Sequence, residues 1–318
     1  MTMLRCVIAC ALAVVMLAAT PSPSYTEEPL TVSIPQGHLS GTLMLPQESA
    51  SPVPVALIIA GSGPVNRNGN VPGLQNDAYK KLAEALAARG IATLRYDKRG
   101  IGESTVVQTE SDLRFDDYVN DALLLTEKLE QDKRFSKVEI IGHSEGSLIG
   151  ILAAQRDPHV AALVSLEGAG RKLGAILDEQ IKNNPSTPPS IVSEVQQIDA
   201  SLEAGRTVPN LDPQLAALFR PSVQPYLISE YRYDPAAEIA KLNIPVLIVH
   251  GTHDIQVSEA DASRLAFADQ RARVVTVDGM NHTLVDAPAD RAGNIATYSD
   301  PSLPLDQTLV TAIASFLR

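Results

Sequence analysis

The fold of this chain is decided by Lys137-Val-Glu-Ile-Ile-Gly-His-Ser-Glu-Gly-Ser-Leu-Ile-Gly150, in which an apolar run leads through Gly-x-Ser-x-Gly into small residues. A strand that turns sharply into a helix at Ser144 would lift the serine hydroxyl clear of the sheet. Gly142 and Gly146 keep side chains out of the crowded space on either side of the turn. The amide of Glu145 would lie at the helix start, where unpaired N–H groups and the helix dipole favour negative charge. The stretch therefore predicts a nucleophilic serine, and the alternative is an ordinary turn with an exposed serine.

The first 24 residues have the pattern of a secretory signal. One basic residue, Arg5, precedes an unbroken apolar run at residues 6–19, and a polar, proline-containing stretch follows. The run is too short to span a bilayer comfortably and no stop-transfer segment follows it, so a retained membrane anchor is the weaker alternative. We therefore expect a signal peptide at residues 1–24, cleaved within residues 19–26. The mature protein would be exported, periplasmic or extracellular, with no stable membrane anchor.

Composition limits the partners that the chain could have. The leader contains one of the 26 basic residues and none of the 37 acidic ones, so the mature chain is acidic. An acidic balance argues against nucleic acid or an anionic lipid surface as the partner. Both cysteines, Cys6 and Cys10, lie in the leader, so the mature chain would be stabilised by packing without disulfides.

Apolar strand patterns alternate with amphipathic helical patterns along most of the chain. Two alternating segments, residues 30–34 and 39–45, predict an antiparallel hairpin at the start of the fold. Apolar runs then recur, with helical patterns between them, at residues 55–60, 91–96, 138–142, 161–166, 245–250 and 274–277. This order predicts an α/β fold with a mostly parallel, doubly wound sheet, covered on both faces. We treat residues 25–318 as one domain.

The alternation stops between about residues 171 and 233, where short helical patterns broken by prolines take over. Ser190 is the expected N-cap of one of these helices, and Gly205 stands where a C-terminal glycine belongs. We predict an inserted helical cap, because insertions at the C-terminal edge of a sheet usually overhang the ligand crevice. The alternative is a helical subdomain with no role at the site. The apolar candidates for lining a pocket are Leu218, Phe219 and Tyr226.

Two loops in the last third of the chain carry further candidate catalytic groups. Gly251-Thr-His-Asp254 and Asp278-Gly-Met-Asn-His282 each follow the end of a predicted strand, where catalytic groups of parallel sheets gather. We assign His282 as the base, with His253 as the weaker alternative. We assign Asp254 as the acid, with Glu167 as its competitor. His143 adjoins the serine, and its side chain is expected to point off the turn.

The loop after the first parallel strand, Ala60-Gly-Ser-Gly-Pro64, is expected to provide a donor to an oxyanion. Pro64 has no N–H, so we choose the amide of Ser62, with Gly63 second. The amide of Glu145 would be the other donor. A plain glycine turn is the alternative. The next residues, Asn66-Arg-Asn-Gly-Asn70, are rich in oxygen but lack the acidic ligands of a calcium loop, so we expect no metal.

Five motifs together resemble the bacterial α/β-hydrolase superfamily: Gly61-Ser-Gly-Pro64, Asp97-Lys-Arg-Gly-Ile-Gly-Glu-Ser104, Gly142-His-Ser-Glu-Gly146, Gly251-Thr-His-Asp-Ile-Gln-Val257 and Gly279-Met-Asn-His282. The similarity spans most of the mature chain and is greatest to exported serine aminopeptidase-like (S33-like) hydrolases. The resemblance implies the α/β-hydrolase fold and its triad order of Ser144, Asp254 and His282. It also implies a structural role for residues 97–104, with Arg99 bracing loops near the site. One departure is Ala60, where many relatives carry histidine.

The residues and the resemblance together predict an exported serine hydrolase that forms an acyl-enzyme intermediate and needs no cofactor. Ser144 would attack an acyl carbonyl, His282 would take its proton, and Asp254 would orient the imidazole. A carboxylic ester in a small-molecule acyl substrate is favoured, because the site needs only a triad and a selective cap. The alternatives are a peptidase or amidase of the serine aminopeptidase type and, less favoured, a non-catalytic binding module on the same fold.

Overall fold

The computed structural model describes residues 25–47 and 52–318, so the predicted signal peptide lies outside the described residues. The strands are β1 Tyr25–Ile34, β2 Gly37–Pro46, β3 Val53–Ile59, β4 Ala92–Tyr96, β5 Thr105–Val106, β6 Phe135–His143, β7 Val160–Leu166, β8 Val246–Gly251 and β9 Arg273–Val277. They form one nine-stranded sheet in the order β1-β2-β4-β3-β6-β7-β8-β9, with β5 paired to β2.

The helices lie between and after these strands. They are α1 Ala78–Ala87, α2 Phe115–Glu130, α3 Glu145–Arg156, α4 Leu173–Lys182, α5 Pro189–Glu203, α6 Ala216–Phe219, α7 Gln224–Glu230, α8 Pro235–Ile239, α9 Glu259–Ala268, α10 Arg291–Ala296 and α11 Gln307–Phe316. Short 3₁₀ turns occur at Glu110–Asp112, Pro213–Leu215 and Thr297–Ser299. No helix among the described residues is both long and apolar enough to span a membrane.

The sheet is antiparallel at its N-terminal edge and parallel elsewhere. β1 and β2 form a hairpin, and β2 also pairs antiparallel with β4. From β4 through β3, β6, β7 and β8 to β9 every pairing is parallel. The predicted α/β class, with an N-terminal hairpin and a mostly parallel sheet, is therefore confirmed.

Helices cover both faces of the sheet, so the central strands are buried on both sides. In β3, Val55 and Leu57 belong to one hydrophobic core, and Ala56 and Ile58 to the other. The first core also includes side chains of α2, α3 and α9, and the second includes side chains of α1 and α11. Burial on both faces explains why these strands read as continuous apolar runs rather than as alternating ones.

Five helices, α4 to α8, lie between β7 and β8, where the alternating pattern stops. The apolar face of α5 recurs at helical spacing, is buried, and comprises Ile191, Val195, Ile198 and Leu202. Its start differs from the prediction, because Pro188 is the N-cap residue and the helix begins at Pro189, before Ser190. Proline suits the first helical position, because its fixed φ is already helical and the N–H that it lacks would have no acceptor within the helix there. A subdomain boundary at residues 171–233 stays a prediction.

The parallel topology brings four chain segments to one edge of the sheet. Ser144 follows β6, Glu167 follows β7, Asp254 lies in the loop after β8, and His282 lies in the loop after β9. Because these strands are parallel, their carboxyl ends all point to the same edge. The candidate site lies at that edge.

Candidate active site

The nucleophile turn has the strained geometry that its sequence predicts. Ser144 has φ 55° and ψ −123°, a conformation that residues other than glycine rarely adopt. Its N–H donates to the carbonyl of Leu166 at 2.9 Å, which ties the turn to β7. A Cβ on Gly142 would lie 2.2 Å from the carbonyl oxygen of Gly146, and one on Gly146 would lie 2.3 Å from that of Ile59. Glycine is therefore required at both positions.

The predicted acid and base are joined by a short hydrogen bond. Nδ1 of His282 lies 2.6 Å from Oδ2 of Asp254. The other carboxylate oxygen accepts the N–H groups of Gln256 and Val257 at 2.7 and 3.0 Å. Burial opposes the charge of Asp254, but His282 and these donors outweigh it and lower the pKa of Asp254 to about 2. An ionised acceptor at Nδ1 fixes the imidazole tautomer that leaves Nε2 able to accept a proton.

Ser144 and His282 face a common cavity, which we call the triad cavity. It has a volume of about 210 Å³ and is also lined by Ser62, Val65 and Tyr298. Within the described part of the chain, no hydrogen bond joins the Ser144 hydroxyl to the His282 ring. Catalytic hydrogen bonds often tighten only when substrate binds, and the two side chains already share the space in which a substrate would lie.

The glycine loop after β3 is fixed tightly beside Ser144. The Gly61 N–H donates to the Tyr79 hydroxyl at 3.1 Å, and the Gly61 carbonyl accepts from Nζ of Lys98 at 2.6 Å. A Cβ on Gly61 would lie only 3.1 Å from Cβ of Ser144. The amides of the two predicted oxyanion donors, Ser62 and Glu145, donate to no other group among the described residues. They are thus available as donors next to the nucleophile.

The His143 ring lies between Tyr79 and His282, and within the described residues it makes no hydrogen bond to Ser144. Its Nδ1 lies 2.8 Å from the Tyr79 hydroxyl, and its Nε2 lies 2.9 Å from the carbonyl oxygen of His282. A carbonyl only accepts, so Nε2 carries the hydrogen and Nδ1 accepts from Tyr79. Burial lowers the pKa of His143 to about 3, and so favours this neutral form. We call the chain from Gly61 through Tyr79 and His143 to His282 the histidine strap.

Lys98 is a second side chain that sequence reasoning missed. It is 1% exposed and lies between the Gly61 carbonyl and Oε2 of Glu145, which is 3.6 Å from Nζ. Burial lowers the pKa of Lys98, and the Glu145 carboxylate opposes that effect. Arg99, in the same motif, pairs with Asp121 of α2 at 2.7 Å. Lys98 therefore contacts the glycine loop directly, whereas Arg99 braces its own loop against α2.

A second cavity, the cap cavity, reaches Glu145 next to the nucleophile, although Ser144 itself does not line it. It has a volume of about 360 Å³ and is lined by Gly63 and Glu145 from the site and by Val223 and Tyr226 from the helical insertion. Tyr226 also donates its hydroxyl to Oε1 of Glu145 at 2.9 Å. The other two apolar candidates line neither cavity, because Phe219 is fully buried in the core and Leu218 is 40% exposed.

The competing acid and base are engaged elsewhere. Nδ1 of His253 donates to the carbonyl of Ala287 at 2.6 Å, so its ring is committed away from Asp254. Glu167 accepts the N–H of Gly251 at 2.7 Å and, within the described residues, makes no hydrogen bond to His282. The geometry therefore pairs Asp254 with His282, which shares the triad cavity with Ser144, and neither competitor makes this contact.

One group of side chains has the composition of a metal site. Ligand atoms of Glu167, His250 and Asp254 lie within 4.8 Å of one another. The carboxylates, however, already accept hydrogen bonds from Gly251 and His282, and a cation would have to displace them. In the oxygen-rich loop, the side-chain oxygen of Asn66 accepts the N–H groups of Asn68 and Asn70. Both arrangements are explained by protein hydrogen bonds, and the expectation of no metal or cofactor stays a prediction.

The sheet topology, the nucleophile turn and the order of Ser144, Asp254 and His282 along the chain are those of the α/β-hydrolase fold. Comparison with known proteins refines this class. A model of the family "Serine aminopeptidase, S33" matches residues 73–176. Esterase EstD of Thermotoga maritima is 27% identical over 268 residues, which are 82% of this chain and 61% of that protein. The chain has the α/β-hydrolase fold and resembles the S33 family, and it spans about three fifths of this curated relative.

Solved structures show the same fold. Est1E from Butyrivibrio proteoclasticus, in a structure with ferulic acid bound, has a TM-score of 0.59 at 19% identity, covering 90% of this chain and 99% of that one. The hypothetical protein PA2218 from Pseudomonas aeruginosa has a TM-score of 0.61 at 15% identity, covering 98% of each chain.

Proposed function

We propose that this protein is an exported serine hydrolase that cleaves carboxylic esters through an acyl-enzyme intermediate. The observation that carries the proposal is the hydrogen bond from His282 to Asp254, at the wall of the cavity that also exposes Ser144. A serine, a base and an orienting acid are the minimum set for nucleophilic acyl transfer. The name of the relative EstD is in keeping with an ester substrate. The leader pattern of residues 1–24 is the basis for export.

The reaction would proceed in two halves. Oγ of Ser144 attacks the acyl carbonyl while Nε2 of His282 takes the serine proton, and the negative charge that develops on the carbonyl oxygen is held by the amides of Ser62 and Glu145. His282 then gives the proton to the leaving alcohol. Water, activated by His282, attacks the acyl-serine and releases the acid. Asp254 stabilises the charged imidazole in each half.

The cap cavity favours a neutral acyl group over an amine terminus. Every charged side chain that lines it has an opposite partner: Lys98 with Glu145, Arg99 with Asp121, and Arg220 with Glu110. Burial and the charge of Glu145 raise the pKa of Glu230, which disfavours a further negative charge next to Glu145. An aminopeptidase would need an unpaired carboxylate for the substrate ammonium group, because a buried charge without a partner is costly.

A peptidase remains the second candidate, because the matched family model is a serine aminopeptidase model. The two candidates are separated by comparing p-nitrophenyl esters of increasing acyl length with aminoacyl p-nitroanilides. We expect nitrophenol release from the esters, and kcat about 10⁶-fold lower in Ser144→Ala. Ser147→Ala is the matched control, since its hydroxyl bonds to Ser165 in the core. It should retain most activity.

Three results would overturn the proposal in different ways. Faster cleavage of the anilides would favour the peptidase. Ester cleavage that survives in Ser144→Ala would show a different nucleophile. No turnover of either substrate class by the folded protein would favour a binding module.

A further inference from the structure

Glu167 occupies a position that no catalytic role in the triad explains. It directly follows β7, is 1% exposed, and has φ 48°, a left-handed conformation that is uncommon for a residue with a side chain. Its N–H donates to the carbonyl of Val249 at 2.9 Å, which holds the strained turn against β8. Strain of this kind costs about 1–3 kcal/mol and persists only where the surroundings enforce it. The Glu167 side chain is fully buried, and one of its carboxyl oxygens lies within 4.8 Å of an Asp254 oxygen.

The Glu167 carboxyl group is surrounded by specific partners. Oε1 accepts the N–H of Gly251 at 2.7 Å, and Oε2 lies 3.0 Å from Nδ1 of His250. One oxygen of Glu167 and one oxygen of Asp254 lie within 4.8 Å of each other. Two carboxyl groups this close can share a hydrogen bond only if one of them carries a proton.

The neighbouring charges decide where that proton lies. Asp254 accepts from His282 and from two backbone amides, all of which favour its ionised form. Glu167 has no cation beside it among the described residues other than a potentially protonated His250, and burial lowers the pKa of that histidine. Burial and the adjacent Asp254 charge raise the pKa of Glu167 well above its ordinary value. Two buried like charges in contact cannot both persist, so the pair holds one proton.

We propose that Glu167 is a protonated positioning residue, whose carboxyl O–H donates to Asp254 and holds that carboxylate in line with His282. The proposal rests on the proposed function of the triad. Together with His282, Gln256 and Val257, this donor would satisfy the lone-pair positions of the Asp254 carboxylate. The carboxylate could then neither rotate away from the imidazole nor take a proton from it.

The other groups that face this pair come from several elements. Tyr298 lies in the 3₁₀ turn after α10, where the charges of both carboxyl groups act on its hydroxyl. Burial raises the pKa of Tyr298 to about 12, so its hydroxyl stays neutral. His250 of β8 interacts electrostatically with Asp254 and His282, and also with Glu259 and Asp261 of α9. Within the described residues, the ion-pair partners of Glu167 and Asp254 are His250 and His282, and no lysine or arginine pairs with either carboxylate.

Two substitutions of matched size test the proposal. Glu167→Gln keeps the shape of the side chain and a neutral hydrogen-bond donor. We therefore expect kcat/KM for a p-nitrophenyl ester to stay within about threefold of wild type. The acidic limb of the pH dependence of kcat/KM should not move. Glu167→Leu cannot donate to Asp254. Losing one hydrogen bond to a charged group should lower kcat by about 10- to 100-fold with KM little changed. Rescue by glutamine but not by leucine is the expected signature.

Two outcomes would overturn the proposal. If Glu167 is ionised in the wild type, Glu167→Gln removes a negative charge near the base, and the acidic limb should move by about one pH unit or more to lower pH. If Glu167→Leu lowers only the melting temperature and keeps kcat, the residue has a purely structural role.

A measurement on the intact protein covers the case in which these variants do not fold or the triad is inactive. Ser144→Ala protein with ¹³C-labelled glutamate carboxyls is followed by NMR at about pH 8. Burial raises the pKa of Glu139 to about 7 and that of Glu230 well above the ordinary range. The same measurement on Ser144→Ala/Glu230→Gln protein removes the contribution of Glu230, and we expect one protonated carboxyl signal, from Glu167, to remain. Its absence would overturn the proposal, whereas absence of ester turnover in wild type would overturn only the proposed function.

Discussion

The Asp254 carboxylate accepts from His282 on one oxygen and from two amides on the other, and this arrangement makes asparagine a damaging substitute. In Asp254→Asn the amide can present N–H to Nδ1 of His282 and so favour the wrong tautomer. We expect kcat for ester cleavage to fall by about 10⁴, and by about 10⁶ in His282→Ala. Steady-state kinetics with a parallel melting curve measure this. An Asp254→Asn protein with most of its activity would show that the acid has been misassigned.

The neutrality of His143 makes stability dependent on pH. An unfolded histidine takes up a proton near its ordinary pKa of 6.5, whereas buried His143 does so only near 3. Between these values the unfolded state binds one more proton, so stability falls as pH falls through this window, by about 1.4 kcal/mol per pH unit. Above pH 6.5 His143 contributes no pH dependence.

The matched variant for this effect is His143→Gln, which keeps a donor for the His282 carbonyl but has no ring to protonate. The free energy of unfolding is measured with urea at several pH values. As the pH falls below 6.5, it should fall less steeply in the variant than in wild type, and the two slopes should differ by the contribution of one proton. If the free energy of unfolding depends on pH in the same way in both proteins, the pKa of His143 in the folded state is close to its ordinary value and the expectation is wrong.

For individual residues, the sequence predicts the reacting groups better than it predicts the side chains that hold them in position. Ser144, Asp254 and His282 each stand in a recognisable motif after a strand, so spacing alone suggests that they meet. Tyr79 and Lys98 carry no such signal, because each acts through a contact with Gly61 that only the folded sheet creates. The contacts of His143 could not be predicted, because its partners lie 64 and 139 residues away in the sequence.

Among the secondary-structure elements, α7 is the one with a predicted effect on substrate selection. Val223, its N-cap residue, and Tyr226 line the cap cavity. Val223→Phe should fill part of that cavity and lower kcat/KM for an octanoate ester relative to acetate by about tenfold or more. A small active-site phosphonate should still react with Ser144 at nearly the wild-type rate.

The control for α7 is Leu218→Ala, which changes an exposed apolar side chain of the same insertion. It should leave the ratio of octanoate to acetate cleavage unchanged. If Val223→Phe also leaves that ratio unchanged in a folded protein, the insertion is a subdomain with no role at the site.

Long periodic elements were predictable and short ones were not. The face of α5 and the capping box of Ser258 and Asp261 follow from spacing, and the structure has both. The start of α5 was misplaced because serine and proline are both acceptable at a helix start. The two-residue strand β5 and the six-residue helix α10 are too short to show a period.

For the whole molecule, the outstanding prediction concerns the N-terminus. The leader has one basic residue, an apolar run and a polar end, so the exported protein should begin between about residues 20 and 27. N-terminal sequencing of protein recovered outside the cytoplasm measures this directly. Recovery of that protein with Met1 intact would rule out a cleaved signal.

The histidine strap has a consequence for how the molecule assembles. It joins Gly61 to Tyr79, Tyr79 to His143, and His143 to His282, over sequence separations of 18, 64 and 139 residues. Contacts between such distant parts of a chain form late, because the entropy of closing the long loops must be overcome first. During refolding, hydrolytic activity should therefore return in the slowest phase, after the helical signal. Enzyme assays would then report the last step of folding.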